Sequence, residues 1–244
     1  MNMKNSERMA FLAPVPARWL LVLICTLLPR ASSAEDPQPT QTENTGKELD
    51  RFRAAIATLD SSGETQPILR AMETLRTGYP QCRPVLLDCF NTESVQLKCF
   101  ALQVLGEQGA GADDIEVVSR SLRDQKPRIR LAAIMALRRL GKGGYEALAA
   151  YFPGETDNNN KKMAAKTFQV WNTEEALPLL VKSLEREKEK TVRNFFVTAL
   201  ESLTHCKLGD DPSAWKTYLE SLRLKEQARE LKNIQGNNAK EENP

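Results

Sequence analysis

Apolar residues return along this chain in a single phase. In residues 129–141 they fall at offsets 0, 3, 4, 7, 8 and 11 from Ile129, namely Ala132, Ala133, Ala136, Leu137 and Leu140, which is one stripe of an α-helix. Residues 97–106 repeat the pattern 32 residues earlier, with Leu97, Phe100, Ala101, Val104 and Leu105 at the matching offsets. Residues 192–203 match again through Val192, Phe195, Phe196, Ala199, Leu200 and Leu203. Residues 161–168 keep part of it in Ala164, Ala165 and Phe168, so the starts at 97, 129, 161 and 192 lie 32, 32 and 31 residues apart.

A second apolar segment follows each stripe, at 115–122, 145–152, 176–184 and 215–222. Breaks separate the segments: Gly109 and Gly111, then Gly141, Gly143 and Gly144, then Pro153-Gly154, and Asp211-Pro212 as an N-cap followed by proline at the first helical position. Helix-turn-helix units therefore recur in series. Neither helix of a unit buries its stripe alone, so neighbours must stack, and the expectation is an all-α, right-handed α-solenoid of about five units.

The third unit departs from the pattern. Gln169 stands where the stripe expects leucine, and Trp171-Asn172-Thr173 replaces the apolar-then-glycine ending. This predicts a helix that ends early or is rotated, with the least regular stretch at 154–174. Upstream, Ile68, Leu69, Ala71, Met72 and Leu75, with residues 84–90, read as a degenerate first unit. Leu49, Phe52, Ile56 and Leu59 before it form a capping helix, so 47–83 is assigned to the N-terminal cap and degenerate repeat. Residues 84–222 form the repeat body, and 223–244 a charged helix extension whose end, 235–244, is polar and frays. Asp157 with Asn158, Asn159 and Asn160 reads as a loop and helix-cap signal.

The first residues carry a different pattern. Lys4, Arg8 and Arg18 against Glu7 precede a mostly apolar run at 19–28, the length of a signal-peptide core and short for a membrane span. Ser32 and Ala34 then place small residues where signal peptidase needs them, which predicts cleavage after Ala34. An uncleaved anchor is the competing reading, followed by a cytosolic protein with an unusual start. Lipid attachment at Cys25 is rejected because Ile24 precedes it where a small residue is needed. Residues 35–46 hold no large apolar residue and read as a flexible linker. The expected compartment is periplasmic or secreted, with no transmembrane span in the mature chain.

Charge and cysteine content narrow the function. The 244 residues hold 34 Lys and Arg against 32 Asp and Glu, and 41% of them are apolar, so one ordinary core can be buried. The first 34 contain four basic residues and one acid, which leaves 30 basic and 31 acidic residues downstream. Such balance, together with export, excludes a general electrostatic case for nucleic acid. The dense basic run Arg120, Arg123, Lys126, Arg128, Arg130, Arg138 and Arg139 reads as a solvated face. The single histidine, His205, argues against imidazole-based metal or acid/base sites. Export would allow disulfides among Cys82, Cys89, Cys99 and Cys206; three complete pairings are possible, a Cys89–Cys99 bond is conceivable, and buried free thiols are the favoured state.

The pattern Ile129-Arg130, Ala132-Ala133, Ala136-Leu137 and Leu140-Gly141 resembles the HEAT repeat, in the short bacterial form called the PBS-lyase-like repeat. Residues 177–180 resemble that family's second-helix start, and 203–215 are similar to the closing unit of exported bacterial HEAT proteins. The resemblance implies a fold and leaves the activity open.

Two sets of candidate contacts follow. Lys98, Arg130, Lys162 and Arg193 come directly after the four stripe starts and would stack into a basic ladder, read as gripping loop carbonyls or acids such as Asp124 between repeats. On the second helices, apolar spacing leaves Glu116, Arg120, Glu146, Lys182 and Lys216 pointing outward, and their mixed sign suits a protein or peptide partner. Trp215, Tyr218, Phe195 and Phe196 sit at stripe offsets and are expected in the core rather than on a carbohydrate platform. No GxSxG, P-loop or paired-carboxylate arrangement is present, so no catalytic residue, cofactor or metal ligand is assigned. The expected function is a noncatalytic scaffold; the alternative is an enzyme accessory or lyase-like protein binding a small molecule.

Overall fold

The computed structural model of the protein describes residues 41–109 and 111–241, with side chains described over 45–109 and 111–234. The export segment 1–34 and the cleavage after Ala34 lie outside the described residues. All packing below lies within the unit Glu43–Pro244; of the other unit, Met1–Thr42, only the first two residues of the first helix are described.

Among the described residues every regular element is helical. Helix α1 (Gln41–Ser61) is followed by α2 (Thr65–Thr77) and the short α3 (Arg83–Asp88). Four longer helices then alternate with four partners: α4 (Val95–Gln108) with α5 (Ala112–Arg120), α6 (Pro127–Leu140) with α7 (Tyr145–Tyr151), α8 (Asn158–Trp171) with α9 (Leu177–Arg186), and α10 (Lys190–Thr204) with α11 (Pro212–Glu241). Their starts have local causes. Ser94, Asp157 and Glu189 accept backbone N–H bonds at the N-termini of α4, α8 and α10, and prolines occupy the first turns of α6 and α9. Single 3₁₀ turns at Ser121–Arg123 and Phe152–Gly154 close α5 and α7.

The first helices pack in order: α4 lies against α6, α6 against α8, and α8 against α10. At the α4–α6 contact Gly106 lets the backbones meet; a Cβ there would stand 2.7 Å from the Ala136 Cα. One face of α4 (Leu97, Phe100, Ala101, Val104) closes a core with Phe52, Leu59, Leu75, Val85 and Leu86 of α1 to α3. Its Leu102 and Leu105 belong to a larger core that runs to Trp215. Within that core an edge-to-face series links Tyr145, Phe168, Phe152 and Phe196 at centroid distances of 5.6–5.9 Å.

Burial corrects the expected register of the third unit. The buried set Ile129, Ala133, Ile134, Ala136, Leu137 of α6 recurs 31 residues later as Asn160, Ala164, Ala165, Thr167, Phe168 of α8. It recurs 32 residues earlier as Leu97, Ala101, Leu102, Val104, Leu105. The third unit therefore starts at Asn160 rather than Lys161, and Gln169 falls off the stripe at the position of Arg138. Helix α8 neither ends early nor departs from its neighbours: it has 14 residues, as do α4 and α6. Trp171 is its buried last residue, and Asn172 at φ 50° ends it in the left-handed conformation that glycine would otherwise supply.

Other boundaries also differ. Helix α1 begins at Gln41, inside the stretch 35–46 assigned to linker, because no proline follows Pro39 until Pro67 and the polar residues there are compatible with a helix. Helix α11 continues unbroken through 235–241, where fraying was expected. Phe195 is 42% exposed although its stripe offset placed it in the core, whereas Trp215 is fully buried.

Candidate functional site: junctions and grooves of the second helices

An acid stands five residues before the stripe start of three successive units: Asp124, Glu155 and Glu187. Each faces two ways. Forward, it accepts backbone N–H bonds that start the next helix: Lys126 to Asp124 at 2.8 Å, Thr156 and Asp157 to Glu155 at 2.7 and 2.8 Å, Lys188 and Glu189 to Glu187 at 2.9 and 3.0 Å. Backward, it meets the base that follows the previous stripe start: Lys98 at 3.9 Å, Arg130 at 2.7 Å and Lys161 at 2.7 Å.

Lys98 and Arg130 thus lie in these junctions. Arg193 takes the same place in the last unit, donating to the carbonyls of Leu184, Glu187 and Asp210. Lys162 does not. The one-residue register correction gives its position to Lys161, and Lys162 instead stands 5.9 Å over the Phe195 ring.

The middle junction is the most enclosed. The Glu155 side chain has no exposed surface. Arg130 Nε donates to its Oε2 at 3.0 Å and to Tyr151 Oη at 3.1 Å, while Nη1 donates to the carbonyls of Asp124 and Gln125, each at 3.1 Å. Asn160 Nδ2 donates to Glu155 at 2.9 Å and to the Pro127 carbonyl at 3.1 Å. Burial pushes the Glu155 carboxyl up, but the Arg130 bonds, the backbone N–H groups and Asn160 together hold it below the usual carboxylate value. Glu187 is held low by the same balance, with Lys161 opposing burial.

A further polar junction ties the N-terminal helices to the repeats. Buried Asp114 of α5 accepts from Tyr79 Oη and from Arg83 Nε, both at 2.7 Å. Burial, then the Asp114 bond, push the Tyr79 phenol up to about 12. Sequence reasoning missed Glu155, Asn160, Lys161 and this cluster. For Glu155, Asn160 and Lys161 the signal was the repeat spacing itself, read on polar rather than apolar positions; the Asp114 cluster has no counterpart at that spacing, where Tyr145 and Ala176 stand.

Between successive second helices run grooves. One of about 430 Å³ lies between the α3 end and α5, lined by Phe90, Lys98, Arg120, Arg123 and Asp124. One of about 280 Å³ lies between the α7 end and α9, lined by Phe152, Leu179, Lys182, Arg186 and Glu187. A third groove separates α5 from α7, lined by Glu116, Arg120 and Arg123 on the α5 side and Ala147, Ala150 and Tyr151 on the other. Of the outward residues expected on this face, Glu116 and Arg120 are exposed and paired with each other. Glu146 and Lys182 are exposed, and Lys216 pairs with Glu185 at 2.5 Å. The structure brings Arg120 and Lys182 to grooves and leaves Glu146 and Lys216 outside the groove linings given above.

Cys82, Cys89, Cys99 and Cys206 are unpaired thiols. Burial pushes Cys82 and Cys89 up to about 11. Among the described residues no cluster of three or more His, Cys, Asp or Glu side chains is arranged to hold a metal ion, and no helix is long and apolar enough to cross a membrane. Comparison with family models, curated proteins and solved structures finds no match to this chain.

Proposed function

We propose that this chain is an exported, noncatalytic scaffold: a right-handed α-solenoid of HEAT-like units that binds a protein or peptide along its second helices. The observation that carries the reading is the recurrence of one junction, base to acid to next helix start, every 31 or 32 residues, with first helices packed in series. A chain built this way uses the side chains that recur at fixed offsets for internal joints. It leaves the second-helix surface free to vary, which is how repeat proteins obtain extended binding faces. The exposed side chains there are of both signs, Glu116 and Glu146 with Arg120, Lys182 and Lys216, which favours a mixed-charge protein over a polyanion. Export rests on the N-terminal pattern, and intact-mass analysis of the mature protein beginning at Glu35 tests it.

The test of function is affinity capture from the native envelope fraction with the chain from Glu35 onward, read by mass spectrometry. One protein recovered stoichiometrically by wild type, and lost with Arg120→Glu and Lys182→Glu, is the expected result. A small molecule or glycan retained with no protein overturns the reading.

A further inference from the structure

The grooves at α5 and α9 are the same site built twice. Counting two units, about 62 residues, places Phe90 on Phe152, Val117 on Leu179, Arg120 on Lys182 and Ser121 on Ser183; one residue more places Arg123 on Arg186 and Asp124 on Glu187. Each groove thus has an aromatic and an aliphatic wall, and two cations on its rim. The acids at the back are already engaged: Asp124 with the Lys126 N–H and Lys98 in the first groove, and Glu187 with Lys161 and Glu155 with Arg130 in the second.

The rim cations have no such partners. Among the described residues Arg123, Lys182 and Arg186 make no side-chain hydrogen bond or ion pair. Arg120 has only the solvent-exposed Glu116 one turn away, a pair of the kind worth little in water. The unit between them breaks the pattern: Tyr151 stands at the position of Arg120 and Lys182, with its hydroxyl taken by Arg130. At that position the second helices therefore read cationic, neutral, cationic, although Arg120 and Arg123 also edge the groove between α5 and α7.

We infer that these two grooves together bind an extended acidic peptide segment of the protein partner, each taking a carboxylate cluster on its rim and an apolar side chain on its floor. This rests on the scaffold reading above and adds the class of ligand and its spacing. Helices pack roughly 8–10 Å apart, so two steps separate the grooves by roughly 16–20 Å. An extended chain covers that in about five or six residues at ~3.3 Å each. The neutral Tyr151 unit lies opposite the spacer.

The probe is a fluorescein-labelled peptide with two Glu-Glu-Leu clusters separated by three Gly/Ser residues, so that equivalent residues lie six apart, compared with a single-cluster peptide by fluorescence anisotropy in 0.15 M NaCl. Linking two weak sites raises affinity through effective concentration, so the two-cluster peptide should bind at least ~10-fold more tightly. The pairs Arg120→Glu/Arg123→Glu and Lys182→Glu/Arg186→Glu should each abolish that advantage. The corresponding glutamine pairs should weaken binding less, and Lys162→Glu, away from the grooves, should leave it unchanged. Absence of saturable binding, equal affinity for the two peptides, equal binding by the charge-reversed chains, or tighter binding of heparin than of the peptide overturns the inference. The same variants enter the envelope capture. Partner recovery that survives both reversals ends the groove assignment and leaves the scaffold standing, whereas no protein recovered by wild type ends the scaffold reading itself.

Discussion

The junction at Arg130–Glu155 and the one at Lys98–Asp124 occupy the same offsets of consecutive units and do different work. Glu155 is fully enclosed, Arg130 is 13% exposed, and the guanidinium reaches a carboxylate, a phenol and two carbonyls. Lys98 and Asp124 stand 3.9 Å apart with about a fifth of each side chain exposed. Both obey the repeat, yet only the first is a buried charge that depends on all its partners. Removing one member of a buried pair costs far more than the pair contributes, because the remaining charge is stranded, while a looser, wetter pair loses little.

The largest expected effect follows directly. Glu155→Ala leaves Arg130 without its carboxylate, Asn160 half-satisfied and two N–H groups of the α8 start without an acceptor; it should lower stability by about 3–5 kcal/mol. Asp124→Ala should cost less than about 1 kcal/mol. Urea denaturation with unchanged m-values measures both. Equal losses at the two sites would mean that burial does not set the difference.

Asn160 sharpens the contrast. It occupies a stripe start where the neighbouring units have Leu97, Ile129 and Val192, so leucine there would perfect the apolar pattern. Asn160→Leu should nevertheless destabilise by about 1–3 kcal/mol, since the Pro127 carbonyl and Glu155 each lose a donor in a closed site. A stabilised variant in the same urea assay would show that the network around Glu155 is dispensable.

That residue also marks where the sequence stops being legible. The helix pairs, their order and most core positions could be read from apolar spacing, because Leu97, Ile129 and Val192 announce their register. In the third unit the starting position holds a polar residue satisfied by tertiary partners, and its neighbours Lys161 and Lys162 look interchangeable on paper. Counting apolar letters slipped the register by one and turned Gln169 into an apparent defect. The grooves were visible only as outward charges. Equivalence between Phe90 and Phe152, or between Arg123 and Arg186, required knowing which residues of adjacent helices face each other.

Arg130→Lys tests how much of the middle junction lies in the guanidinium fork. Lysine keeps the charge but cannot hold Glu155 through two nitrogens while donating to the Asp124 and Gln125 carbonyls, so a loss of about 1–2 kcal/mol is expected. Lys98→Arg at the open junction should change stability by less than about 0.5 kcal/mol. A loss at Arg130 as small as this would assign the middle junction to charge alone.

Acid titration separates the junctions by pH. The folded-state pKa values of Glu155 and Glu187 are depressed, so the stability they contribute is present above the ordinary carboxylate value of about 4.3 and is lost as pH falls through the lower folded values. Stability of the wild type should therefore drop as pH falls below about 4.3. In Glu155→Gln that acid-dependent loss should be shallower, leaving the share due to Glu187 and to the carboxylates Glu185, Glu189 and Glu220 that are also held low. An unchanged acid slope in Glu155→Gln would remove Glu155 as a source of the pH dependence.

The smallest effect is the most discriminating for the register. With a third unit that starts at Lys161, Gln169 is a hole in the stripe, and Gln169→Leu should stabilise by about 1 kcal/mol or more through apolar burial. With the unit starting at Asn160, residue 169 shares its offset with Arg138, on the partly exposed flank of the helix, and Phe168 already fills the core position of Leu137. Gln169→Leu should then stay within about 0.5 kcal/mol of wild type, as substitutions away from the core do. Two chemically similar changes, Asn160→Leu and Gln169→Leu, are thus expected to give a clear loss and almost nothing, where apolar pattern alone predicts a gain from both.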